Sequence, residues 1–247
     1  MFDDCADTGQ TDAIFANVKA AHARSDCDAK VLRLSMDTKA KIKLAPFSRG
    51  GKLRCFEPVK ALDHDMGTYD ILVPYGILEV KQKQFNVVYG NSLETSDFLM
   101  DGIEHWWRYR KKNYPGITTL QIDLDNAPEC ESGRTQFIKR MVDFADKHQV
   151  TIELVYYPPY HSKYNPVEHC WGVLECHWSG ALLTDIETVK EWTKSMRWAG
   201  IAPNVYFLDA EYHRGVTLTK AEMKPYEQRL IRTTGIEKWS ITIKPSK

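Results

Sequence analysis

Between Leu32 and Leu44 the apolar residues fall on alternate positions. Leu32, Leu34, Met36, Ala40, Ile42 and Leu44 interleave with Arg33, Ser35, Asp37, Lys39, Lys41 and Lys43. A period of two makes a strand, or a strand pair, with one buried face. The same period returns at Leu120, Ile122 and Leu124, and again at Val150, Ile152, Leu154 and Tyr156. Between these runs the spacing opens to that of a helix, at Phe98, Leu99, Ile103, Trp106 and Tyr109, and at Phe137, Met141 and Phe144 within Arg134–His148. Strands separated by helices in this order predict an α/β fold, a mixed sheet flanked by helices.

The punctuation fits. Ile71–Val80 and Phe85–Tyr89 read as a hairpin across a short polar turn. Thr95-Ser96 caps the helix that must end before Pro115. A proline-rich loop, residues 157–164, leads to Asn165-Pro166, a good N-cap followed by a proline suited to the first helical position. Ala13, Ile14, Val18 and Ala21 make residues 1–29 a helical lead-in, and residues 200–247 form an extension with one helix. That helix opens on Thr219-x-x-Glu222, carries Pro225 in its second turn, and is followed by a closing strand over Trp239–Ile243. Residues 30–199 are then the central domain. Trp106, Trp171 and Trp178 sit on helical apolar stripes and are expected in the core.

No apolar run reaches the ~18 residues of a membrane span. The acidic start MFDDCADTGQ is not a secretory leader, so a cytoplasmic location is expected. The 33 basic and 33 acidic side chains cancel, but they are segregated. Residues 30–60 hold nine Lys/Arg against two acids, and residues 105–114 hold four against none. Clustered positive charge attracts a phosphate backbone whatever the total. The six cysteines form no CxxC pair and are expected as reduced thiols; Cys170 and Cys176, flanked by His169 and His177, fit no common zinc spacing.

Three acids stand where elements can converge: Asp37 on the first strand, Asp125 at the end of a later one, and Glu168 in the first turn after the proline-rich loop. Such carboxylates can hold two hard divalent cations that clamp the oxygens of a phosphodiester displacement. Each acid also has a plain reading: Asp37 solvated among lysines, Asp125 a turn residue, Glu168 reaching back to its helix N-cap. Asp123 shares the face of Asp125 and is the rival ligand; Asp125 is preferred because it ends the strand.

The wording around these acids adds to this. Ser35-Met-Asp-Thr-Lys-Ala-Lys41, Phe47-Ser-Arg-Gly-Gly-Lys52, Leu124-Asp-Asn-Ala-Pro-Glu129, Arg134-Thr-Gln-Phe137 and Tyr156-Tyr-Pro-Pro-Tyr-His-Ser-Lys-Tyr-Asn-Pro-Val-Glu-His-Cys-Trp-Gly-Val-Leu-Glu175 closely resemble the DDE transposases of the Rhodopirellula, or ISAzo, type, in the wider mariner-like group. The likeness runs from about Thr11 to Ile243. It implies an RNase H-like fold, with Asp37, Asp125 and Glu168 as catalytic acids holding two Mg²⁺ or Mn²⁺ ions. It also implies nuclease and strand-transfer activity on element ends and target DNA, a homo-oligomer on DNA, and a bacterial cytoplasm, at the nucleoid. Ala127 stands where Gly is expected, and Gly133 where Arg is expected.

Such transposases resemble longer chains with an N-terminal helix-turn-helix part, which this sequence is expected to lack. A non-catalytic remnant that binds DNA or full-length transposase, and an RNase H-type nuclease acting on hybrids, are the competing functions. Lys39, Lys41, Arg49, Lys52 and Arg54 are candidate phosphate contacts. On the proline-rich loop Tyr160, His161 and Lys163, with Tyr157 and Tyr164, mix aromatic and basic groups that suit stacking on splayed bases.

Overall fold

The computed structural model describes residues 8–246 except 47, 49, 53–55, 57–59, 63–69 and 160. Helix α1 (Thr8–Cys27) leads into strands β1 (Val31–Thr38) and β2 (Ile42–Leu44), then the hairpin β3 (Asp70–Glu79) and β4 (Gln84–Gly90). Next come α2 (Ser96–Arg110), β5 (Thr119–Leu124), α3 (Thr135–His148), β6 (Thr151–Tyr156) and α4 (Pro166–His177). The chain closes with α5 (Ile186–Ser195), β7 (Asn204–Leu208), α6 (Lys220–Glu227), β8 (Leu230–Arg232) and β9 (Ser240–Ile243).

The sheet order is β7-β4-β3-β1-β5-β6-β9-β8, with β2 continuing the line of β1 along β3. β3 lies antiparallel to β1 and β4, while β1, β5 and β6 are parallel. An antiparallel meander whose first strand then joins two parallel strands is the RNase H-like arrangement. The last part of the chain carries the expected helix and closing strand, and two further strands: β7 pairs with β4 at one edge of the sheet, and β8 with β9 at the other.

Both faces of the sheet are covered. Leu32, Leu34, Met36, Ile122 and Leu124 pack with Trp106 of α2 and Phe137 of α3. On the opposite face Leu72, Phe85, Val87 and Tyr89 pack with Val167, Trp171 and Leu174 of α4. Because β1 is central, its second face is no solvated lysine face: Ser35 is fully buried there. Trp106, Trp171 and Trp178 lie in the core as expected, whereas Tyr109 is 53% exposed and its neighbour Trp107 takes the buried place.

Gly76 sits mid-strand, directly across from Asp37. A Cβ there would come within 2.6 Å of the Trp171 ring and 3.0 Å of Val167, so the glycine lets α4 close onto the sheet. Three residues further along, Glu79 is fully buried. It accepts two 2.7 Å bonds from Arg110 and one from the Trp106 indole at 2.9 Å, with Asn86 and Tyr114 also donating to it. This network ties α2 to the hairpin. Among the described residues no helix is long and apolar enough to cross a membrane.

Candidate active site

Asp37 is the seventh residue of β1, Asp125 follows the last residue of β5, and Glu168 is the third residue of α4. One carboxylate oxygen from each lies within 4.8 Å of the other two, and all three side chains are half-buried. Strands β1 and β5 run parallel with Met36 beside Leu124, so the next residue of each places an acid at the same end of the sheet.

Helix α4 supplies the third acid, and its anchoring differs from the sequence reading. Asn165 does occupy the N-cap position, but its side chain makes no cap hydrogen bond. It is fully buried; its amide donates to the Met36 carbonyl at 3.1 Å and its oxygen accepts from Ser35 Oγ. The Ser35 hydroxyl in turn accepts the Val167 N–H at 2.8 Å. A strand serine therefore does the capping, and the helix start is bolted to the residues just before Asp37.

Burial, reinforced by the Glu168 and Asp125 charges, pushes the Asp37 carboxyl up to about 8. Burial and Glu168 push Asp125 to about 6. One Asp125 oxygen is buried without a hydrogen-bond partner among the described residues. The nearest lysine in sequence, Lys39, is drawn away to Glu175 at 2.9 Å, over the Trp171 ring. Three hard oxygen donors that repel one another, with one orphaned buried oxygen, match what a divalent cation requires. Beside them Asn126, Ala127, Tyr157, Pro158 and Pro159 line a cleft of about 360 Å³ that reaches Asp37 and Asp125.

Asp123, the rival ligand, is spent elsewhere. It is fully buried, lies 2.8 Å from His22 Nε2 of α1, and accepts from Gln121 at 2.8 Å. His22 escaped the sequence reading because a single histidine on a polar-looking helix has no spacing signal. Cys170 is buried and Cys176 exposed on α4, and neither joins a metal-ligand cluster among the described residues.

The chain matches the family described as the Rhodopirellula transposase DDE domain over residues 3–245. It belongs to that family. Solved structures similar to the DDE domain include a Mos1 transposase paired-end complex with left transposon end, at 10% identity and a TM-score of 0.49, covering 74% of this chain and 52% of that one. A Mos1 mariner paired-end complex with Mn is similar at 11% identity and a TM-score of 0.45, covering 74% and 53%. The DDE domain thus spans about half the length of these chains. Among curated proteins none matches it.

Of the candidate DNA contacts, Lys39 is held by Glu175, while Lys41 and Lys52 are exposed. Arg49, Arg54 and Tyr160 lie outside the described residues. His161 stacks on Tyr164 with centroids 6.0 Å apart, and the Lys163 amine lies 5.3 Å from the Tyr164 ring centre.

Proposed function

We propose that this chain is the catalytic part of an insertion-sequence transposase, and that Asp37, Asp125 and Glu168 are its catalytic acids. The reaction is hydrolysis of a phosphodiester at an element end, followed by attack of the freed 3′ hydroxyl on target DNA. The observation that carries this reading is the meeting of three carboxylates from β1, β5 and α4 within 4.8 Å, in a chain of the transposase DDE family.

The three acids would hold Mg²⁺ or Mn²⁺, two ions in all, which when bound supply Lewis-acid polarisation of the scissile phosphate and its flanking oxygens. The chain's own residues do the remainder. Asp37 and Asp125 line the cleft, and Glu168 joins them from α4. The buried Ser35–Asn165 link holds the helix start in register with the strand. Without a cation Asp37 keeps its proton near neutral pH, and the remaining negative charge of the site disfavours a phosphodiester beside it, so a loaded site binds the backbone more tightly. Lys41, Lys52, His161 and Lys163 are the candidates for positive or polar contact with the DNA backbone. DNA ends and target are the partners, and a homo-oligomer assembles on them. Residues 30–199 form the catalytic unit, with the segment from 200 completing both sheet edges.

The test is a labelled element end plus target DNA with Mg²⁺ or Mn²⁺, run for wild type, Asp37→Asn, Asp125→Asn and Glu168→Gln. Joined product from wild type alone supports the reading. Cleavage of RNA–DNA hybrids alone favours a nuclease, and binding without turnover favours a non-catalytic remnant.

A further inference from the structure

Helix α1 and the proline-rich loop border an open hollow of about 670 Å³, lined chiefly by Phe15, Lys19, His22, Asp26, Tyr157 and Tyr164. That lies within the roughly 300–1,000 Å³ typical of small-ligand sites. Tyr157 also lines the cleft that holds Asp37 and Asp125, so the two hollows share a wall.

The chemistry of this cavity is that of a flat ring beside a phosphate. Phe15 stands edge-on to His161 at 5.0 Å and to Tyr164 at 5.5 Å, and these two rings stack on each other. Tyr164 is 53% exposed, with His161 stacked on it and the Lys163 amine 5.3 Å from its ring centre. The Asp26 carboxylate is neutralised by Arg33 at 3.0 Å. Lys19 has no carboxylate partner among the described residues, so its ammonium is free for an anion.

We propose that this cavity holds one unpaired nucleobase of the DNA strand whose backbone lies at the acid triad. A base stacked inside a duplex presents no face to Tyr164 or Phe15, whereas an unpaired base next to the cleaved position does, with its phosphate near Lys19. The shared Tyr157 wall puts base and scissile phosphate on adjoining sides of one residue. This subsite rests on the DNA-processing reading above, but its binding chemistry needs no turnover.

The experiment uses the full chain and oligonucleotides with 2-aminopurine at each position of a short single-stranded overhang, in EDTA and in Ca²⁺. Wild type is expected to shift the fluorescence at one unpaired position and not in the fully paired duplex. Tyr164→Ala should weaken overhang binding about ten-fold, as expected for loss of one base–aromatic stack, and Tyr164→Phe should retain it. Phe15→Ala, verified as folded by circular dichroism, should behave like Tyr164→Ala. Asp37→Asn, which removes the triad, should keep the fluorescence shift in EDTA, so failure of the acid assignment and failure of the base site are read separately. Wild-type behaviour of both alanine variants, or no position-specific shift with any overhang in either buffer, overturns the proposal.

Discussion

Ser35 and Asn165 are 130 positions apart in sequence and share a buried hydrogen bond between β1 and the start of α4. Ser35 lies two residues before Asp37, and Asn165 three before Glu168. The bond converts two sequence-distant acids into neighbours.

Replacing Ser35 by Ala would leave the Val167 N–H and the Asn165 oxygen unsatisfied in a dry site, at a cost of about 1–3 kcal/mol. The same substitution should raise the Mn²⁺ concentration needed for half-maximal activity, because Glu168 loses its fixed distance from Asp37. Ser35→Thr keeps the hydroxyl and should restore both. A destabilised Ser35→Ala protein with unchanged metal dependence would make the link merely structural.

Asp123→Asn should leave Mn²⁺ binding intact, since its carboxylate faces His22 rather than the triad. His22→Ala removes the group that lies nearest the fully buried Asp123 carboxylate and should lower stability in a denaturant melt. Loss of metal binding in Asp123→Asn would make it a ligand after all.

The alternating runs and helical stripes made the element order readable, and the three acids were readable as strand-end and helix-start residues. What the sequence concealed was pairwise. A polar Ser35 in an alternating strand reads as solvent-facing until α4 is known to cover it. Asn165 reads as its own helix cap, because nothing local announces that its side chain turns to Met36 and Ser35. Glu79 and Arg110 likewise look like surface charges on separate elements, and only the packing of α2 on the hairpin buries them together.

That buried pair gives a stability test remote from the acids. Arg110→Met leaves Glu79 as an uncompensated buried charge and should cost about 3–5 kcal/mol, with no change in the metal requirement. A loss below 1 kcal/mol would contradict the role assigned to this network.

In the metal-free protein the folded state keeps a proton on Asp37 between its usual 3.8 and about 8, where the unfolded chain has lost it. Folding stability from this group therefore falls as pH rises across that window. Melting temperatures in EDTA should decline from pH 5 to pH 8, and Asp37→Asn should flatten the decline. An unchanged slope in that variant would show that the carboxyl is not perturbed by its site.

The most direct measurement is calorimetric titration of Mn²⁺ into the full chain at pH 7, in two buffers of different ionisation enthalpy. Binding should be accompanied by proton release, because Asp37 must ionise to ligate, and it should be lost in Asp37→Asn, Asp125→Asn and Glu168→Gln alike. Absence of binding to wild type, or unaltered binding in all three variants, would contradict the assignment of the three acids.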